Sequence, residues 1–315
     1  DHRYEIADEY LDVLYKLWEG SWDDDAVVQD RERRVYTDPS KVRYIDHVGE
    51  HFQVAGPHLS QPSRQRTPVL YQATGSPAGS AFAAKHAEVV FTGGMTTESV
   101  RKNIATMRSL AVARGRAADG LKFVVNAGVI VGRTDAQVQA KLDDYRRLFS
   151  VEARLAHSQS PIDVLAYPRD ELVSNIVARQ DKGWERTPGR DEPGRTVGDV
   201  VDAMRGFNEG RFFVAGTPKV VADQIEHWLD VDGVDGINLR QYLSFETARD
   251  FIELVLPELR RRGRFRESYD DGETLRERLF GAGRARLPAE HFGARYRDPA
   301  ALKLPAEPLR FPAAA

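Results

Sequence analysis

Apolar residues recur at three- and four-residue spacing through Ile6, Tyr10, Val13, Leu14 and Leu17, which predicts a helix that stops at Gly20. From Trp22 to Arg66 that period is lost, and only 42–54 alternates in the manner of a hairpin. A long polar excursion of this kind usually caps a site or an interface. Beyond Pro68 the order becomes regular. A strand over 69–73 leads to a helix over 76–87, a strand over 89–92 to a helix over 97–114, and a strand over 122–131 to a helix over 134–149. Val100, Ile104, Met107 and Leu110 stripe the second helix, and Val138, Leu142, Tyr145 and Phe149 the third. The stretch 150–208 reads as irregular, rich in Arg, Asp, Pro and Gly around 184–194, and is either a lid over a site or a solvated loop. Thr217 and Pro218 cap a helix bearing Val221, Ile225 and Trp228; a short strand at 236–239 precedes a helix through Phe251, Val255 and Leu259. After Arg260 the chain is charged and proline-spotted and is expected to wrap the surface.

Strands alternating with helices predict an α/β fold with a parallel sheet covered on both faces, either an open doubly wound sheet or a closed (β/α)8 barrel. About four strands are visible, whereas a closed barrel needs eight over about 250 residues. The pattern alone leaves the choice open. Composition narrows the setting: 315 residues, 41% hydrophobic and a net charge of -3 can bury a large core and carry no basic field for nucleic acid. No apolar run approaches the roughly 18 residues of a membrane span, and the acidic first residues do not resemble a signal peptide. With no cysteine there is no disulfide or thiolate chemistry, and a cytoplasmic location is expected.

The segment 67–88 carries the most chemistry. A short apolar strand runs into Thr74, Gly75, Ser76 and Pro77, which supply a flexible turn, a hydroxyl N-cap and a proline at the first helical position. Free N–H groups at such a helix start face an anion well, and a compact dianionic phosphate suits Gly75 N–H, Ser76 N–H and the Ser76 hydroxyl without a lysine. An ordinary capped helix that binds nothing fits the same letters.

Residues 3–10, 14–22, 47–57, 72–88 and 213–218, in this order, resemble the bacterial-luciferase-like flavin-dependent monooxygenases. The nearest branch is that of nitrilotriacetate monooxygenase component A and dibenzothiophene-sulfone monooxygenase. The resemblance implies a TIM-barrel subunit. Reduced FMN, supplied by a separate flavin reductase, would react with oxygen there and oxygenate or cleave a small organic substrate. It also implies that Tyr4, Gly75 and Ser76 contact FMN, and that the flavin-site histidine of the family would stand immediately before Asp1, so His2 is not its equivalent. Because family members carry a further segment before this point, the chain is expected to be the C-terminal half of a luciferase-like (β/α)8 barrel with insertions, strands five to eight. It is read as one incomplete domain over 1–315, with a hairpin insertion at about 41–57, a lid-like insertion at about 151–208 and a tail at about 263–315. Such a half barrel would expose unpaired edges. It is expected to be inactive alone and to self-associate, aggregate or require the missing half, and the full-length form is expected to be a homo-oligomer. A flavin- or deazaflavin-binding reductase or carrier of the same fold, and a non-flavin phosphate-binding barrel such as an isomerase or aldolase, are the alternatives.

Other signals carry less. His47, Glu50 and His51 satisfy a His-x-x-Glu-His spacing, but Gly49 and the flanking Tyr44, Ile45, Phe52 and Val54 predict a hairpin rather than the helix that zinc would require, so no metal site is expected. Lys122 begins a strand and is read as solvated at the bottom of the fold, and His157 as a surface residue of the insertion. Residues 236–242 and the region of His157 depart from the family pattern where substrate would be recognised, which leaves the substrate unnamed. Arg240 there could meet an acidic substrate or a surface carboxylate.

Overall fold

The computed structural model describes residues 2–93, 96–157, 162–179, 189, 192–205 and 212–304. Helix α1 (His2–Tyr15) runs on through one wide turn, Lys16–Gly20. Two small antiparallel hairpins follow, β1 (Val27–Asp30) with β2 (Val35–Thr37) and β3 (His47–Val48) with β4 (Gln53–Val54). Then β5 (Tyr71–Ala73), α2 (Pro77–His86), β6 (Val89–Thr92), α3 (Thr97–Val112), β7 (Lys122–Val131) and α4 (Asp135–Leu148) alternate. Helices α5 (Val151–His157), α6 (Val173–Ala178) and α7 (Val197–Arg205) precede β8 (Phe213–Gly216), α8 (Pro218–Asp230) and β9 (Gly236–Arg240). A helical run then carries α9 (Glu246–Asp250) and α10 (Leu256–Arg261), and α11 (Leu275–Phe280) follows. Hydroxyl caps set three of the starts: Ser76 accepts from Gly79 N–H, Thr134 from Gln137 N–H, and Thr96 forms a reciprocal box with Ser99. Among the described residues no helix is long and apolar enough to cross a membrane.

The chain divides into two compact units. In the first, formed by 1–127, 225–240 and 262–315, β5 pairs β6 in parallel with Ala73 opposite Phe91, β6 pairs β7 in parallel with Val89 opposite Lys122, and β9 also pairs β7. Val89, Val90, Phe123 and Val125 are buried, the near-continuous apolar run of strands covered on both faces. The second unit, 128–224 and 241–261, pairs the end of β7 in parallel with β8, Gly128 opposite Phe213. Its own core is Val151, Ile162, Val164, Ile176, Val197 and Val201.

Four expectations are corrected. The strand at 69–73 is shorter, Tyr71–Ala73, and half-exposed rather than buried, because β5 ends the pairing path and, among the described residues, has only β6 beside it. The stretch 150–208 is not irregular throughout: α5, α6 and α7 form around the apolar cluster just named, while 180–188, 190–191 and 206–211, most of the lid-like insertion's middle, lie outside the described residues. The tail does not merely wrap the surface. Arg276, Leu287, His291, Tyr296 and Leu302 are buried, and Leu287, Tyr296 and Leu302 share one core with Val13, Tyr15 and Ile45. Their approach needs Gly293, where a Cβ would lie 2.5 Å from the Tyr15 ring. Lys122 is not simply solvated, since its Nζ donates to Asp235 Oδ1 at 3.1 Å while Asp235 Oδ2 accepts from Phe123 N–H.

Candidate functional site

The first turn of α2 is where the predicted site residues meet. Ser76, extended at φ -102 and ψ 157, turns its Oγ back to accept from Gly79 N–H at 3.1 Å, and Pro77 supplies the fixed φ of the first helical position. This leaves the Ser76 O–H free to donate outward, beside the Ala78 N–H that no intrahelical acceptor can reach. Gly75 is exposed, with open space where a side chain would stand. Tyr4 arrives from α1. Its ring packs on Phe82 with centroids 5.4 Å apart, and its hydroxyl lies 2.5 Å from the point where a Cβ on Gly79 would be. Thr74 Oγ1 lies 1.8 Å from that same point, so only glycine at 79 lets the two hydroxyls converge on the helix start.

A buried polar chain fixes α1 against α2. Lys85 Nζ donates to Asp8 at 2.9 Å, and His86 Nε2 lies 2.5 Å from Asp8 Oδ1. Burial pushes the His86 pKa down to about 4, so the ring is neutral; its Nε2–H donates to Asp8 and its Nδ1 accepts from the Tyr15 hydroxyl at 3.0 Å. His291 is likewise held neutral by burial, donating from Nε2 to the His86 carbonyl at 2.9 Å and accepting Gly293 N–H at Nδ1. Asp12, wholly buried, has no formed hydrogen bond at either oxygen among the described residues; the Tyr296 hydroxyl faces it without completing one. Its burial, reinforced by the nearby Asp8 charge, raises its pKa to about 6.

The His47–His51 stretch forms the turn of the β3–β4 hairpin, not a helix. Lys16 Nζ donates to His47 Nδ1 and His47 Nε2 donates to Glu9, both at 3.2 Å, and Glu9 also accepts the N–H groups of His51 and Phe52. Both ring nitrogens of His47 are thereby engaged. His2 is exposed, pairs with Glu5 and meets His51 edge-on. His157 is exposed at the end of α5. Neither converges on the α2 start.

The family described as luciferase-like monooxygenase matches residues 1–236. The chain belongs to the luciferase-like monooxygenase family. It is 44% identical over 302 residues to the long-chain alkane monooxygenase of Geobacillus thermodenitrificans (strain NG80-2), a match covering 95% of this chain and 64% of that protein. It is 40% identical over 302 residues to the dimethyl-sulfide monooxygenase of Hyphomicrobium sulfonivorans, covering 95% of this chain and 62% of that one. Nitrilotriacetate monooxygenase component A of Aminobacter aminovorans matches at 30% over 297 residues, covering 88% and 62%. A crystal structure of a long-chain alkane monooxygenase superposes with a TM-score of 0.80 at 43% identity, over 94% of this chain and 64% of that one. The chain therefore spans less than two thirds of the length of these relatives.

Within this member of the luciferase-like monooxygenase family, sequence reasoning found the strand, the cap and Tyr4 but missed Thr74 and Gly79. The spacing Thr74-x-Ser76-x-x-Gly79 was a usable signal, since a glycine in the first turn of a helix is costly unless something presses on it. Asp8, Asp12 and His86 were missed for another reason. Carboxylates on a helix read as its solvated face, and only the α2 and C-terminal partners make that face a buried one.

Proposed function

We propose that the chain serves flavin-dependent monooxygenation in the cytoplasm, with Tyr4, Gly75 and Ser76 holding the phosphate end of FMN. Reduced FMN, supplied by a separate flavin reductase, brings the capacity to activate oxygen toward a small organic substrate. This chain's part is to bind and orient it. The observation that carries the reading is the convergence at Gly79: a hydroxyl from α1, a hydroxyl from the end of β5 and a serine-capped helix start, with no basic side chain needed, match a phosphate monoester. The 74–76 turn lies at the C-terminal end of the parallel strand β5, where barrels of this kind build their sites, and this supports reading β5, β6, β7 and β9 as strands five to eight of a (β/α)8 barrel. The relatives' names span alkane, sulfide and chelator substrates, so the substrate here is given only as a small organic molecule.

Ser76→Ala is expected to weaken FMN binding roughly ten- to a hundredfold, because each hydrogen bond to a charged group contributes about 1.5–3 kcal/mol. Loss of the cap also costs the helix about 0.5–2 kcal/mol. Ser76→Gly, which relieves most of that helix cost, separates the two effects. Fluorescence titration with FMN measures the affinity, and an unchanged Kd in both variants removes Ser76 from the site. Oxygen consumption with reduced FMN separates a monooxygenase from a flavin carrier.

A further inference from the structure

A cavity of about 640 Å³ lies in the first unit at the strand entries, where Glu88 leads into β6 and Gly120 toward β7, at the end of the sheet away from the start of α2. Phe280, Leu287 and Pro288 give its wall an apolar part. Most of its arginines are already committed, Arg276 to Glu88, Arg64 to Glu277 and Arg286 to Asp24. Arg116 is not. It is 6% exposed; its Nη1 donates to the Ala84 carbonyl at 3.0 Å and its Nη2 to those of Ala87 and Gly120 at 2.7 and 3.2 Å, which leaves the Nε–H and an Nη1 N–H unspent. Ala84 and Ala87 close α2, and a helix end offsets only about half an elementary charge. Among the described residues no carboxylate forms an ion pair with this guanidinium, a costly condition for a buried charge. The rim adds charges of both signs: the exposed side chains of Arg284, Asp119 and Glu290 make no hydrogen bond or ion pair among the described residues. Asp119 directly precedes the Gly120 carbonyl that Arg116 holds, and Glu290 lies near enough for its charge to act on Arg116.

We propose that this cavity binds a zwitterionic α-amino acid with a large apolar side chain. Its carboxylate takes the unspent donors of Arg116 and the Arg284 guanidinium, its ammonium meets Asp119 and Glu290, and its side chain lies against Phe280, Leu287 and Pro288. A simple anion would satisfy the arginines but face both rim carboxylates, and a simple cation would face both guanidinium groups. A zwitterion pairs each sign with its opposite, and a cavity of this volume holds a ligand of amino-acid size or larger. The site shares no residue with Tyr4, Gly75 and Ser76, so it stands apart from the flavin reading.

The test is calorimetric titration with L-phenylalanine, with 3-phenylpropionate, which lacks the ammonium, and with phenethylamine, which lacks the carboxylate. The parent protein should bind L-phenylalanine saturably and each analogue about tenfold more weakly or worse. Asp119→Asn combined with Glu290→Gln changes only exposed side chains and leaves Arg116 in place. That double variant should lose about tenfold in affinity for L-phenylalanine while holding 3-phenylpropionate as tightly as the parent or tighter. Arg284→Ala should weaken both ligands that carry a carboxylate and leave phenethylamine unchanged. FMN affinity should stay at the parent's value in every variant. Absence of saturable L-phenylalanine binding to the parent overturns the proposal and leaves the flavin reading untouched. Analogues that bind as tightly as L-phenylalanine, or a double variant with the parent's affinity for it, overturn it as well.

Discussion

Arg276→Met is expected to destabilise the protein by about 3–5 kcal/mol, the cost of leaving a buried carboxylate without its partner. Arg276 is 1% exposed, and its Nε and Nη2 grip Glu88 at 2.7 and 3.0 Å. Nη1 donates to the carbonyls of Gln65 and Ala285, and Nη2 shares its two N–H groups between Glu88 and the carbonyls of Thr67 and Pro68. Glu88 in turn accepts Leu70 N–H, so one guanidinium ties α11 to the chain entering β5 and β6. Since a domain of ordinary stability holds only about 5–15 kcal/mol in total, the loss approaches unfolding. Urea denaturation measures it. Arg286→Met is the control: its pair with Asp24 is 35% and 66% exposed, and such surface pairs contribute about 0–1 kcal/mol. Adding Glu88→Leu to Arg276→Met should recover part of the loss, because no orphan charge then remains, though the four carbonyls still lack their donor. A single variant within about 1 kcal/mol of the parent would show that the clamp does not hold the tail.

This clamp also shows where legibility in the sequence stopped. The βα rhythm, the strand over 122–131 and the Ser76 cap were readable because each depends on neighbours within a few residues: β-branched runs, a hydroxyl before a proline, a stripe at helical spacing. Arg276 and Glu88 lie 188 positions apart, and nothing local distinguishes Arg276 from the other arginines of a charged tail. The same holds for α1. Its apolar stripe predicted a core face through Ile6 and Tyr10, yet Tyr10 is 49% exposed and Asp8, Glu9 and Asp12 are buried, because Lys85, His86, His47 and Tyr296 come from elsewhere to receive them. At the candidate site the divide falls similarly. Ser76 and Gly75 were visible as a turn and a cap, whereas Gly79's role depends on Tyr4 reaching across from another helix.

Asp12→Asn is expected to stabilise the protein by up to about 3 kcal/mol at pH 8 and to uncover a pH dependence that the parent conceals. Asp12 has its folded pKa raised from 3.8 to about 6, so the folded state binds the extra proton. A penalty of about 3 kcal/mol, at 1.36 kcal/mol per pH unit of displacement, is therefore fully present above pH 6 and is relieved as pH falls toward 3.8. His86 works in the opposite sense. Its folded pKa is lowered from 6.5 to about 4, the unfolded state binds the extra proton, and stability is lost as pH falls between those values by a comparable amount. The two slopes oppose each other across nearly the same window, so the parent's stability should change little from pH 6 to 4. Below that, the lowered pKa values of Asp8 and Glu9 add their own losses as each carboxylate is forced to protonate. Asparagine keeps the shape of Asp12, removes its charge from among Asp8, Lys85, Lys16 and Tyr296, and leaves the His86 slope alone. The variant should therefore lose about 3 kcal/mol between pH 6.5 and 4, where the parent stays nearly level. Urea midpoints at pH 8, 6 and 4.5, with unchanged m-values, measure both effects. A variant less stable than the parent at pH 8, or one whose stability stays level through the acid window, would mean that Asp12 is charged and satisfied in the folded protein and that His86 does not carry the opposing slope.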